Sequence, residues 1–119
     1  MSAKTTNPQL IELIRFLTWK ANEYQAPIWD SVAQKLKKSK HNRVAVNLSR
    51  INRYTLDNEM ALVPGKILSS GSLTHTVNVA AVTSSHKARK KIEQAGGRYL
   101  TIEALVHENP LGSGVKIIG

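Results

Sequence analysis

The sequence contains no cysteine, which excludes disulfides, thiolate nucleophiles and cysteine-ligated zinc. Aromatic residues are scarce, with one Phe, three Tyr and two Trp in 119 residues. So few rings argue against a broad platform for stacking bases. Acids are also few: eight Asp and Glu stand against seventeen Lys and Arg, a net charge of +9 and a pI near 10.1. No apolar run approaches the ~18 residues that a membrane-spanning helix needs. The segment from Met1 to Asn7 leads into a helical pattern without the apolar stretch of a signal peptide. Hydrophobic residues make up 41% of the chain, and a body of this size can bury about two-thirds of its extended surface. These features describe one basic domain over residues 1–119, expected to be soluble and intracellular, with a polyanionic partner and no membrane partner.

The positive charge is unevenly spread. Before residue 35, Lys4, Arg15 and Lys20 are balanced by Glu12, Glu23 and Asp30. From Lys35 to Arg53 there are seven cations (Lys35, Lys37, Lys38, Lys40, Arg43, Arg50 and Arg53) and no acid. A second group, Lys87, Arg89, Lys90, Lys91 and Arg98, faces only Glu93. Solvated faces usually mix the two signs, because Glu and Lys one turn apart relieve repulsion. An acid-free stretch lacks that relief, whereas phosphates supply it and release counterions on binding. The pattern therefore favours nucleic acid over simple solvation.

The periodicity outlines the elements. Asn7-Pro8 begins a helix with Asn as cap and Pro in the first turn. Leu10, Ile14, Leu17 and Ala21 form its stripe, widened by Ile11, Leu13 and Phe16, as far as residue 25 before Pro27. Trp29, Val32, Ala33 and Leu36 predict a second helix whose last turn carries Lys35, Lys37 and Lys38, where cations suit the dipole. Trp19 and Trp29 are both assigned to packing. Residues 39–43 lack periodicity and read as an exposed loop. Val44 to Val46 is a strand candidate, and Asn47 is placed to cap a short helix from Leu48 to Tyr54. On that helix Leu48 and Ile51 share an inward face, while Arg50 and Arg53 lie on a neighbouring one. Residues 1–54 thus form a helical, basic portion.

Residues 55–119 read as alternating strands and helices. Asp57-Asn58-Glu59 is a turn, Met60 to Val63 a strand, and Pro64-Gly65-Lys66 a second turn bearing an exposed lysine. Val77 to Val82 suits a buried parallel strand. Ser84 or Ser85 caps a helix that Gly96-Gly97 stops, with Ala88, Ile92 and Ala95 inward and Lys87, Lys90 and Lys91 on one outer face. Arg98 to Leu100 is a strand candidate. Thr101 caps a last helix with Ile102, Leu105 and Val106 inward, and residues 115–118 close as a strand. The expectation is an α/β fold with a small parallel or mixed sheet.

Familiar catalytic signatures are missing. Pro64-Gly65-Lys66 lacks the spacing of a phosphate-binding loop, and Gly112-Ser113-Gly114 lacks the third glycine of a dinucleotide site. His41, His75, His86 and His107 are too dispersed to form a metal-ligand pattern, and no carboxylate pair stands out. No enzyme activity, cofactor, metal or small-molecule substrate is expected.

The segment Ser39-Lys40-His41-Asn42-Arg43-Val44-Ala45-Val46-Asn47-Leu48-Ser49-Arg50-Ile51 resembles the signature region of the large-subunit ribosomal protein eighteen-e family of archaea and eukaryotes, related to bacterial large-subunit protein fifteen. The resemblance continues through Asn52-Arg53-Tyr54, Val63 to Leu68, Thr76 to Ala81 and Asn109 to Ser113, and the compact length looks archaeal. It implies a structural ribosomal protein that binds large-subunit rRNA beside neighbouring ribosomal proteins. It also implies helices followed by an irregular superhelix of ββα-type turns with short strands. The expected rRNA contacts are Lys35, Lys37, Lys38, Lys40, His41, Asn42, Arg43, Asn47, Arg50, Arg53, Lys66, Lys87, Arg89, Lys90 and Lys91. A free-standing basic RNA-binding regulator, or a small RNA-processing enzyme, would share the same patches.

Overall fold

The computed structural model describes residues 8–38 and 44–119. Its elements in chain order are α1 (Pro8–Tyr24), α2 (Pro27–Lys38), β1 (Val44–Asn47), α3 (Leu48–Tyr54), β2 (Glu59–Leu68), β3 (Val77–Ser84), α4 (His86–Gln94), β4 (Tyr99–Thr101), α5 (Ile102–Glu108) and β5 (Val115–Ile117). The expected cap Asn7 and the loop residues 39–43 lie outside the described residues. The five strands make one α/β sheet in which every pairing is parallel.

Side chains on successive strand positions alternate between the sheet's two faces. On one face Leu62 of β2 and Ala80 of β3 pack against α1, α2 and α5, through Leu10, Leu13, Leu17, Trp29, Val32, Leu36, Ile102, Leu105 and Val106. On the other, Ala61, Val63, Ile67, Val77, Val79 and Ala81 pack against Leu48 and Ile51 of α3 and Ala88 and Ile92 of α4. Being buried on both sides explains the nearly continuous apolar runs of β2 and β3. Leu48 and Ile51 are fully buried, and each contributes about 1.5–3 kcal/mol toward seating α3.

The helix ends follow local chemistry. Ser85 Oγ accepts from the Ala88 N–H at 3.2 Å, and Thr101 Oγ1 from the Ala104 N–H at 3.1 Å, so both are side-chain caps. Gly96 donates to Glu93 O and Gly97 to Ile92 O, both at 3.0 Å, which closes α4. Trp29 is fully buried and its Nε1 donates to Pro110 O at 2.7 Å, tying α2 to the segment after α5.

Three expectations need correction. Trp19 is not a packing residue: it is 68% exposed, because two positions beyond Leu17 it is turned about 200° around α1 from the buried stripe. Ile11, expected to widen that stripe, is 40% exposed. Pro64-Gly65-Lys66 is not a turn but the middle of a ten-residue strand. One edge of β2 pairs with β3, with a register shift between Val63 and Lys66. The other edge is shared: β5 takes Met60 to Leu62, and β1 takes Gly65 to Leu68. Pro64 falls in the gap between these two partners, where its missing N–H leaves no ladder bond unmade. Gly65 is required because the Val44 carbonyl oxygen occupies the place of a Cβ.

Candidate RNA interface

The face covered by α3 and α4 is assembled around the loop of residues 69–71. Asn47 does not cap α3 with its side chain; its Oδ1 instead accepts from the Ser70 N–H at 3.2 Å. The Ser49 N–H, one of the donors left open at the start of α3, is satisfied by Ser70 O at 3.1 Å. Gly71 adopts φ +91°, and a Cβ there would stand 2.6 Å from Ser49 Cβ, so only glycine lets the loop pass beneath α3. From the α4 side, Lys91 Nζ donates to Ser69 O at 2.9 Å and Gly71 O at 3.0 Å. The loop is therefore a bracket holding α3 and α4 in fixed relation. Farther along α3, Asn52 Oδ1 accepts from the Thr74 N–H and hydroxyl. Buried Thr55 donates to Ile51 O at 2.7 Å and lies 2.9 Å from His75 Nε2.

This frame presents Arg50 and Arg53 from α3 and Lys87 and Lys90 from α4, all exposed. Arg53, Lys87 and Lys90 make no ion pair or side-chain hydrogen bond among the described residues. Arg50 places its guanidinium 5.9 Å from the ring centroid of Tyr54. Arg89 is engaged, 3.3 Å from Glu93 Oε2 and 5.5 Å from the Tyr99 ring centroid. Lys91, grouped with Lys87 and Lys90 on the helix wheel, is half-buried and directs its ammonium to the loop carbonyls. Its place is structural first.

The cluster that is continuous in sequence is divided in space. Lys35, Lys37 and Lys38 end α2, which packs on the opposite face of the sheet from α3. Lys35 Nζ reaches the Gly119 carbonyl at 3.4 Å. Lys66 lies between Ala45 of β1 and Thr83 of β3, all three exposed, one position out of phase with buried Ile67. Lys40, His41, Asn42 and Arg43 lie outside the described residues.

Four of the eight acids are held in ion pairs among the described residues. Glu23 pairs with Lys20, Glu93 with Arg89, Glu59 with Lys116, and Glu108 with Arg98 through two bonds of 2.9 and 3.2 Å. The Leu56 N–H and then the Lys116 ammonium hold the Glu59 carboxyl below the usual carboxylate range. The Arg98 fork does the same for Glu108. With Lys20, Arg89, Arg98 and Lys116 paired, Lys37, Lys38 and Lys66 on the α2 side keep no acidic partner among the described residues, and neither do Arg50, Arg53, Lys87 and Lys90 on the α3–α4 face. Tyr54, which composition and spacing did not single out, is the aromatic residue beside this charge. The observable hint was its position four residues after Arg50, at the end of a helix whose inward positions are already filled.

The fold is a basic, doubly covered parallel sheet with no metal-ligating cluster among the described residues, and its positive charge is of the sign that attracts polyanions. Comparison with known proteins gives the family. The model of the family described as ribosomal protein 60S L18 and 50S L18e matches residues 1–119. The chain is 50% identical over 113 residues to large ribosomal subunit protein eL18 of Methanothermobacter thermautotrophicus, covering 95% of this chain and 93% of that protein. It is 44% identical over 115 residues to the eL18 of Archaeoglobus fulgidus, covering 97% and 98%. For that of Methanococcus maripaludis the identity is 46% over 114 residues, covering 96% and 95%. The chain belongs to the family of ribosomal proteins 60S L18 and 50S L18e.

Proposed function

We propose that this chain binds folded large-subunit rRNA with its α3–α4 face, where Arg50, Arg53, Lys87 and Lys90 lie against phosphates. As a member of its family it is a structural constituent of the large subunit of the cytoplasmic ribosome. Neighbouring ribosomal proteins are partners of the same particle. The observation that carries the reading is that these four exposed basic side chains have no acidic partner among the described residues, on a face whose helix α3 contains no acid. Arginines supply planar forks suited to bridging phosphate oxygens, while lysines act as point charges. Lys35, Lys37, Lys38 and Lys66 form a second basic surface on the α2 side, and the acid-free stretch with Lys40, His41, Asn42 and Arg43 joins the two in sequence.

Neutralising about six phosphates gives a log–log slope of affinity against salt of roughly −4 to −5. Fluorescence anisotropy with fragments of large-subunit rRNA, titrated across salt, measures it. Sedimentation of cell extract through a gradient checks the particle. A slope near zero, or a chain that sediments apart from large subunits, refutes the reading.

A further inference from the structure

We propose that Tyr54, with Arg50 beside it, is a stacking site for one unpaired nucleotide of the bound RNA. This rests on the RNA-binding reading and adds to it a contact made by a base. Tyr54 is 52% exposed at the end of a helix whose large apolar residues Leu48 and Ile51 are fully buried. The ring is thus left over from packing. The guanidinium of Arg50, one turn earlier, lies 5.9 Å from the ring centroid. Together they border an open groove of about 380 Å³, with Lys116, Ile117 and Ile118 along its other side. A groove of that size lies within the ~300–1,000 Å³ typical of ligand clefts.

The chemistry favours a nucleotide. A base presents a flat π-face to the tyrosine ring and to the guanidinium plane, and its flanking phosphates find Arg50 and Arg53 on the same short helix. No acidic side chain lines the groove. The nearest acid in the bonding network, Glu59, is held 3.2 Å from Lys116 Nζ, which also donates to Tyr54 O at 3.2 Å. Trp19, although more exposed, offers a poorer setting. Its ring is approached by Lys20, which is paired with Glu23, and Glu12 and Glu23 share its side of α1.

The test uses the full chain and two probes: a short single-stranded oligonucleotide carrying 2-aminopurine, and a duplex of the same length. Tyr54→Leu is expected to weaken single-strand binding at least fivefold, the low end for one base stacked on an aromatic ring. It should leave the salt slope and the duplex affinity unchanged, since no charge is removed. Tyr54→Phe should retain binding and the quenching of 2-aminopurine. Unchanged single-strand affinity in Tyr54→Leu overturns the stacking site, and the RNA reading still stands if Arg53→Ala flattens the salt slope. Equal losses on single strand and duplex, or a lowered melting temperature, assign Tyr54 a structural role and also overturn it. Unchanged RNA affinity with impaired incorporation into subunits gives the ring to a protein neighbour, which overturns it too.

Discussion

Replacing Arg53, Lys87 and Lys90 together with alanine separates a defined interface from diffuse positive charge. All three side chains are exposed and unpaired among the described residues, so stability should change by no more than about 0.5 kcal/mol. Each phosphate contact contributes about 0.7–0.9 to the salt slope. Losing three should flatten the slope by roughly 2–3. At 0.15 M salt each lost contact weakens binding by about 0.7 of a decade, hence about a hundredfold for three. The matched control removes the same charge elsewhere, as Arg15→Ala, Lys20→Ala and Arg98→Ala, where Lys20 and Arg98 already carry acidic partners. Fluorescence anisotropy with an rRNA fragment from ~50 to ~300 mM salt compares the two variants. The α3–α4 triple should lose both slope and affinity, and the control much less of either. Equal behaviour of the two would mean that net charge alone draws RNA to this chain, and the assignment of a face would be refuted.

Two further outcomes concern the frame beneath that face. Lys91→Met should cost about 1–2 kcal/mol in urea unfolding, because charged hydrogen bonds to Ser69 O and Gly71 O are lost, whereas Lys90→Ala should be nearly silent; equal effects would show that the loop bracket contributes nothing. Glu59 and Glu108 both have folded pKa values below the ordinary 4.5, so their stabilisation is complete above that value and is lost as pH falls through the lowered folded values. Glu59→Gln with Glu108→Gln should therefore reduce the loss of melting temperature below pH 4.5, and an unchanged acid limb would contradict the two pairings.

The local parts of the fold were readable because their causes are local. Ser85 and Thr101 cap the helices that follow them, Gly96-Gly97 closes α4, and Leu48 and Ile51 turn inward three residues apart. What escaped the reading depends on partners distant along the chain. Pro64-Gly65-Lys66 has the composition of a turn, yet it is held extended by β3 on one side and by β1 and β5 on the other. Asn47 had the right residue type to cap α3, but the Ser70 N–H, 23 positions away, took its side chain. The candidate interface was legible as charge and not as geometry. Lys35 and Arg53 bound one acid-free stretch but fall on opposite sides of the sheet, whereas Arg53 and Lys87, far apart in sequence, share a face. Helical spacing also grouped Lys91 with Lys87 and Lys90, since nothing within α4 reveals the loop that claims it.

The divided edge of β2 has a consequence for biogenesis. During vectorial synthesis the ribosome exit releases the amino-terminal segments first. By then β1 can already lie along Gly65 to Leu68, but Met60 to Leu62 must wait for β5, nearly half a chain later. Until Val115 emerges, that stretch of backbone is an open template to which a strand of a neighbouring nascent chain can add. A polypeptide truncated before Val115 lacks the strand that covers Met60 to Leu62 and keeps the template open.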